Sequence, residues 1–318
     1  MGLMIEGIYQ VEEPAPDSAD DGRFRRAKAT VRNWITADGS PGPTGEGGFP
    51  AEAGRYHLYV AWNCPWAHRA LLTQALLGLE DAIGLSIARP RRTDQGWVFD
   101  GDGAFADPLY GAEALHQAYT RTAPDYTGRV TVPLLVDRES GRAVSNESAD
   151  IVQMLAAFGQ GPELRPAALA DAIEGWNARI YADVNNGVYR AGFARTQAAY
   201  DEAVQQVFAA LDEIDAQLGR TRYLTGEQFT EADLRLFPTL ARFDVAYHYA
   251  FKCNIRRLAD YAHLWPYARE IYAMPGVAET VNFEIYKQGY FSPSELRNPL
   301  GIVPAGPVVD WSEPHGRG

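Results

Sequence analysis

Apolar and polar positions alternate along Tyr56-His57-Leu58-Tyr59-Val60, the period-2 signature of a strand. Behind it, Leu71, Leu72, Ala75, Leu76 and Leu79 recur at helical spacing, and Gly78 stands near the helix end. Ile83, Leu85 and Ile87 then alternate again. A strand-helix-strand run of this length predicts a βαβ unit with a right-handed crossover. Residues 91 to 128 show little periodicity. Order resumes with Val130, Val132, Leu134 and Val136, interrupted by Pro133, which marks a strand start or an edge because proline lacks the ladder N–H. Asp137 to Gly141 reads as a turn, Ala143-Val144 as a short return strand, and Glu147-Ser148 as the start of a helix that buries Ile151, Val152, Met154 and Leu155. From about residue 165 the pattern is helical. Val204, Val207, Phe208, Leu211, Ile214 and Leu218 form one stripe, and Thr230-Glu231-Ala232-Asp233 has the form of a capping box.

This order, βαβ then β-turn-β then α, followed by helices alone, predicts an α/β plus all-α chain: a thioredoxin-like domain over 55–160 and a helical bundle over 165–290. Residues 1–54, rich in Pro, Gly, Asp and Glu, read as an extension made mostly of loop and pinned by Phe24, Val31, Trp34 and Ile35. Residues 291–318, with Pro299, Pro304 and Pro307, read as an irregular tail. The insertion at 91–128, which holds Trp97, is long enough to be functional or to wrap a site.

Cys64 changes the picture most. It stands where the first strand hands over to a helix, and Pro65 suits the first helical position. Unpaired backbone N–H groups and the positive helix end stabilise a thiolate there. The residue three further on is Ala67, so no resolving thiol lies one turn along, and the expected chemistry is monothiol exchange released by an external thiol. His68, one turn on, either tunes the thiol or packs; Cys253 reads as a packed, inert thiol. Cys64 itself also fits a small core residue, a reading that the adjoining proline disfavours.

Composition narrows the classes. The 318 residues, 46% of them hydrophobic, suffice for two cores. The net charge of −12, from 29 basic and 41 acidic residues, carries no basic stripe and argues against nucleic acid. The run Arg23, Arg25, Arg26 and Lys28 reads as a solvated or structural face; Arg89, Arg91 and Arg92 suit either an anionic ligand or an open surface. Two cysteines make no disulfide framework, no apolar run approaches a membrane span, and the first residues lack a secretory signal. A reducing cytoplasm is expected. Neither a metal cluster nor a glycine-rich phosphate loop is expected from the spacings.

The segments Arg32-Asn33-Trp34-Ile35-Thr36, Asn63-Cys64-Pro65-Trp66-Ala67-His68-Arg69, Val132-Pro133, Asn146-Glu147-Ser148, Val184 to Tyr189, Tyr223 to Gly226, Phe251-Lys252-Cys253 and Met274 to Asn282 resemble the glutathionyl-hydroquinone reductases, the Xi class of glutathione transferases. The resemblance spans roughly Arg32 to Pro307. It implies that Cys64 is the nucleophile and that a cis bond at Val132-Pro133 faces the cysteinyl part of glutathione, with Val130 on the same stretch. It further implies that Glu147 and Ser148 hold the γ-glutamyl end, that Trp97 lines the thiol site, and that Tyr189, Tyr247 and Tyr290 converge on the sulfur, with Tyr189 as proton donor. The bundle would supply a second wall above Cys64. No tightly bound cofactor is implied: glutathione or another small thiol is the cosubstrate, an aromatic hydroquinone conjugate is the substrate, and the assembly is a homodimer. Trp62, Asn63 and the segment Phe291 to Pro299 depart from the family pattern. Competing readings are a glutaredoxin-like enzyme that removes glutathione from disulfides or reduces dehydroascorbate, a conjugating transferase, and a non-catalytic binding module.

Overall fold

The computed structural model describes residues 2–11, 21–45 and 47–318. The chain separates into two compact units, Met1–Pro14 with Lys28–Pro162 and Ala15–Ala27 with Glu163–Gly318.

The first unit opens with β1 (Leu3–Ile5), β2 (Ile8–Gln10), β3 (Trp34–Thr36) and β4 (Gly48–Pro50). The segment expected to be mostly loop thus holds four short strands; for residues 1, 12–20 and 46 that expectation lies outside the described residues. β1 pairs antiparallel with β2 and with the two-residue β7 (Gly128–Arg129), while β3 and β4 run parallel. Residues 28–54 cluster with this unit. Their anchors are buried Trp34, Ile35 and Phe49.

The centre is a four-stranded sheet of β5 (Tyr56–Ala61), β6 (Ile83–Ala88), β8 (Leu134–Asp137) and β9 (Arg142–Ser145), in the order β6-β5-β8-β9. β5 runs parallel to β6 and antiparallel to β8, with Leu58 opposite both Leu85 and Leu135. Between β5 and β6 lies α1 (Pro65–Leu76), which packs on β5 and on α3 (Ser148–Ala156). Gly78, at φ +65°, turns the chain out of α1 in a conformation that glycine takes without strain.

β5 departs from the alternation in its sequence, because all six of its residues are buried. The insertion after β6 explains this. His57 and Tyr59 face a polar cluster, in which Ser86 Oγ donates to Asp107 Oδ1 at 2.7 Å, Tyr59 OH donates to Asp107 Oδ2 at 3.3 Å, and His57 Nε2 lies 2.7 Å from Ser86 Oγ. Asp107 also accepts from the amides of Leu109, Tyr110 and Ala112, so one carboxylate folds the insertion and fastens it to the sheet. The insertion is not wholly irregular: α2 (Leu115–Thr122) buries Leu115, Ala118, Tyr119 and Thr122.

The second unit contains α4 (Ala170–Ile180), α5 (Gly187–Gly192), α6 (Gln197–Leu218), α7 (Glu231–Arg242), the single turn α8 (His248–Ala250), α9 (Leu264–Tyr272) and α10 (Phe283–Tyr290). The predicted stripe on α6 is buried throughout. The capping box forms as expected, with Asp233 Oδ2 accepting from Thr230 N at 2.8 Å. Two π-helical turns interrupt the helices: Tyr181–Asn185 before α5, and Phe243–Tyr247 between α7 and α8. After α10 the tail forms neither helix nor strand but is anchored. Trp311 packs at 4.9 Å from Trp265 and 5.3 Å from Phe283, and Arg317 Nε donates to Glu270 at 2.7 Å.

Candidate active site

The first unit places Cys64 as the N-cap of α1, in extended conformation and half-buried. The local sequence builds this directly. Cys64 N closes a turn onto Ala61 O at 3.0 Å, Pro65 enters the helix without wasting a donor, and His68 N returns to Cys64 O at 3.0 Å as the first helical hydrogen bond. The thiol therefore sits at the positive end of a twelve-residue helix. His68 is buried within α1.

Opposite the thiol lies the start of β8. The Val132–Pro133 peptide is cis, and Cys64 Sγ is 3.5 Å from Val132 O. A thiol donates to that carbonyl; a thiolate cannot, and turns to whatever donors a bound ligand brings. Val130 and Val132 are both buried, and Val130 N donates to Gly2 O at 2.9 Å. Glu147 is the N-cap of α3: its Oε1 accepts from Ala149 N at 3.0 Å, beside buried Ser148. Trp97 is buried in the insertion, with its carbonyl held by Leu115 N at 2.8 Å and its ring faced by the Arg92 guanidinium at 5.3 Å. Its Nε1 is a buried donor with no acceptor among the described residues. Such a group is costly to leave unpaired.

The second unit brings the three tyrosines together. Tyr290 OH is the node, 3.0 Å from Tyr189 OH and 2.9 Å from Tyr247 OH. Each comes from a different element: α5, the π-helical turn before α8, and the end of α10. Phe251 packs against all three rings, and Gly192 makes room for it, since a Cβ there would lie 2.3 Å from the Phe251 ring. Burial pushes the phenols of Tyr247 and Tyr290 well above their usual range; the charge of fully buried Arg242 works against that rise. Both π-helical turns adjoin this cluster, in keeping with the tendency of such turns to occur at functional sites.

Two features here escaped the sequence. Arg26 lies with its guanidinium 4.6 Å from the Tyr189 ring centroid, and Arg297, from the divergent segment, stands 4.3 Å over Phe193, which stacks on Tyr189. No local pattern announces either contact, because each joins side chains far apart in the chain.

Comparison with known proteins decides the family. Residues 63–157 match the glutathione S-transferase N-terminal domain, and residues 197–270 match the C-terminal domain. The chain is 48% identical over its full length to glutathionyl-hydroquinone reductase YqjG of Escherichia coli, covering 98% of that protein. The chain belongs to the Xi-class glutathione transferase family. The glutathione-bound structure of YqjG superposes with a TM-score of 0.87 at 50% identity, over 90% of this chain and 96% of that one. The Xi-class transferase of Natrialba magadii gives 0.90 at 40% identity, over 100% and 96%. Glutathionyl-hydroquinone reductase PcpF of Sphingobium chlorophenolicum is 42% identical over 97% of both chains. The Xi-class assignment also confirms the expected architecture, a thioredoxin-like unit followed by a helical one.

Proposed function

We propose that this protein cleaves glutathionyl-hydroquinones to free hydroquinones, using Cys64 as nucleophile. The observation that carries the reading is a lone thiol at the N-terminus of α1, 3.5 Å from the carbonyl of a cis-proline turn, in a chain 48% identical to a reductase of that name. The Cys64 thiolate attacks the sulfur of the conjugate. The sulfur–aryl bond breaks, its electron pair stays on the aryl carbon, and the Tyr189 hydroxyl supplies the proton. The enzyme is left as a Cys64–glutathione mixed disulfide. A second glutathione thiolate attacks that disulfide, which frees Cys64 and releases oxidised glutathione. In sum, conjugate plus thiol gives hydroquinone plus disulfide.

Glutathione is the favoured cosubstrate, supported by the glutathione-bound relative. Its carboxylates and carbonyls suit the α3 N-terminus at Glu147-Ser148 and the unpaired Trp97 Nε1. A homodimer in a reducing cytoplasm is the accompanying proposal, to be checked by light scattering and by localisation.

The test is incubation with a glutathionyl-hydroquinone and excess glutathione, beside Cys64→Ser, with free hydroquinone followed by chromatography. Cys64-dependent release is expected. A mixed disulfide on Cys64 without release would replace this reading with glutaredoxin-like exchange; an intact conjugate and no mixed disulfide would refute glutathione as the thiol.

A further inference from the structure

Residues 21–27, within the segment read as an extension, belong to the helical unit. Three contacts fasten them there. Gly22 O accepts from Arg195 N at 2.9 Å, Arg23 pairs with Glu202 on α6, and Phe24 stacks on Phe193 at 5.3 Å. Gly22 is at φ +74°, and a Cβ there would lie 2.7 Å from Thr196 Cγ2, so the approach is close. The result is to place Arg26. Its Nε donates to Asn186 Oδ1 at 3.0 Å, and its guanidinium spreads over Tyr189, 4.6 Å from the ring centroid. Asn186 O in turn accepts from Tyr189 N at 3.1 Å, so one asparagine holds both partners of the stack.

We infer that Arg26 is a positioning residue for Tyr189: clamped by Asn186, its guanidinium fixes the ring and stabilises the negative charge left on it when the hydroxyl gives up its proton. A cation over an aromatic face is attracted to the neutral ring and more strongly to a phenolate, whose charge spreads into that ring. Other groups facing Tyr189 do not duplicate this. Tyr290 and Tyr247 offer hydroxyls only. Arg242 stacks on Tyr286 and its charge reaches Tyr247 and Tyr290, Arg190 is paired with Asp183, and Arg297 reaches Phe193. The inference rests on the proposed role of Tyr189 for its catalytic meaning, but the electrostatic claim stands apart from it.

The experiment therefore has two arms. In the first, tyrosinate absorbance is titrated toward alkaline pH in wild type and in Arg26→Met, each minus its Tyr189→Phe counterpart, which isolates the Tyr189 phenol. Arg26→Met should move that titration to higher pH, and Arg26→Lys should restore part of the shift; unmoved curves overturn the inference whatever the reaction proves to be. In the second, hydroquinone release is followed against pH. Arg26→Met should lower the plateau about tenfold and push its alkaline decline to higher pH, while Cys64-dependent exchange with a small glutathione mixed disulfide stays at the wild-type rate. Equal loss of both activities would mean that Arg26 merely supports the fold, and would also overturn the inference. A Tyr189→Phe enzyme with unchanged release would instead refute the proton-donor reading and leave the first arm to decide on Arg26.

Discussion

Lowering the pH from 7.5 to 5 should cost the first unit about 2 kcal/mol through a single side chain, His57. Ser86 Oγ has one proton and gives it to Asp107 at 2.7 Å, so it must accept from His57 Nε2–H. That fixes the neutral imidazole with Nδ1 turned toward Gly84, where even a Cβ would sit 2.5 Å away. Burial pushes the imidazole from its ordinary 6.5 down to about 4; the nearby Asp107 charge opposes this and Arg138 adds to it. Because the folded state binds the proton less readily, the contribution is whole above pH 6.5 and is lost as the pH falls toward 4. At pH 5 the unfolded imidazole is almost fully protonated and the folded one about one-tenth so, which gives the figure of about 2 kcal/mol.

Many carboxylates titrate in the same interval, so the test is a difference. His57→Gln keeps an N–H donor for Ser86 and removes the titration. Urea unfolding at both pH values should show wild type losing about 2 kcal/mol more than the variant, at unchanged slope with denaturant. Parallel losses in the two proteins would refute the assignment of a buried neutral imidazole.

Three further outcomes are expected. Tyr189→Phe should slow hydroquinone release by a factor of about 10² to 10⁴, the usual worth of a positioned acid, and leave mixed-disulfide exchange on Cys64 nearly intact; loss of both would argue for a structural role. Cys253 is fully buried and its thiol is pushed up to about 12, so iodoacetamide at mildly alkaline pH should label Cys64 alone in the native protein, as read by peptide mass spectrometry; comparable labelling of Cys253 would contradict the packing. Asp233 accepts from Leu224 N, Tyr267 OH, Thr230 N and Thr230 Oγ, so Asp233→Asn turns an amide NH₂ against donors in either orientation and should cost about 2–4 kcal/mol, visible as a lower melting temperature.

Features that depend on neighbours in sequence were legible, and those that depend on distant partners were not. Cys64, Pro65 and the α1 stripe lie within one strand-helix passage, and the Thr230–Asp233 box closes over three residues. By contrast, β1 finds its partner β7 across more than a hundred residues, and three-residue strands carry too few alternations to show a period. α2 was hidden by its length of eight residues, within a stretch of glycine, proline and aromatic residues. His57 and Tyr59 looked like the wet face of β5 because nothing nearby says that Asp107, some fifty positions on, folds a lid of chain over them. Only the family resemblance points to the three tyrosines: three of 17 tyrosines on three helical elements have no common period. The contact of Arg26 with Tyr189 is hidden for the same reason, since a short basic run has the composition of a solvated or structural face whichever aromatic ring it meets.

The geometry of the three phenols also sets the direction in which they can act. Tyr290 touches both neighbours but has one proton, so it donates to one and accepts from the other. In the proposed step Tyr189 loses its proton to the departing aryl carbon and becomes the strongest acceptor of the three. Tyr290 must then donate to Tyr189, which leaves its own oxygen to accept from Tyr247. The order Tyr247 to Tyr290 to Tyr189 follows, with fully buried Tyr247 at the start and half-buried Tyr189 at the reacting end. Burial holds the first two protonated, so the chain has donors to offer at the moment charge appears, and Tyr189 is the phenol whose ring also has a guanidinium across its face. On this account Tyr290→Phe should slow release, because it removes the donor that lies 3.0 Å from the Tyr189 oxygen.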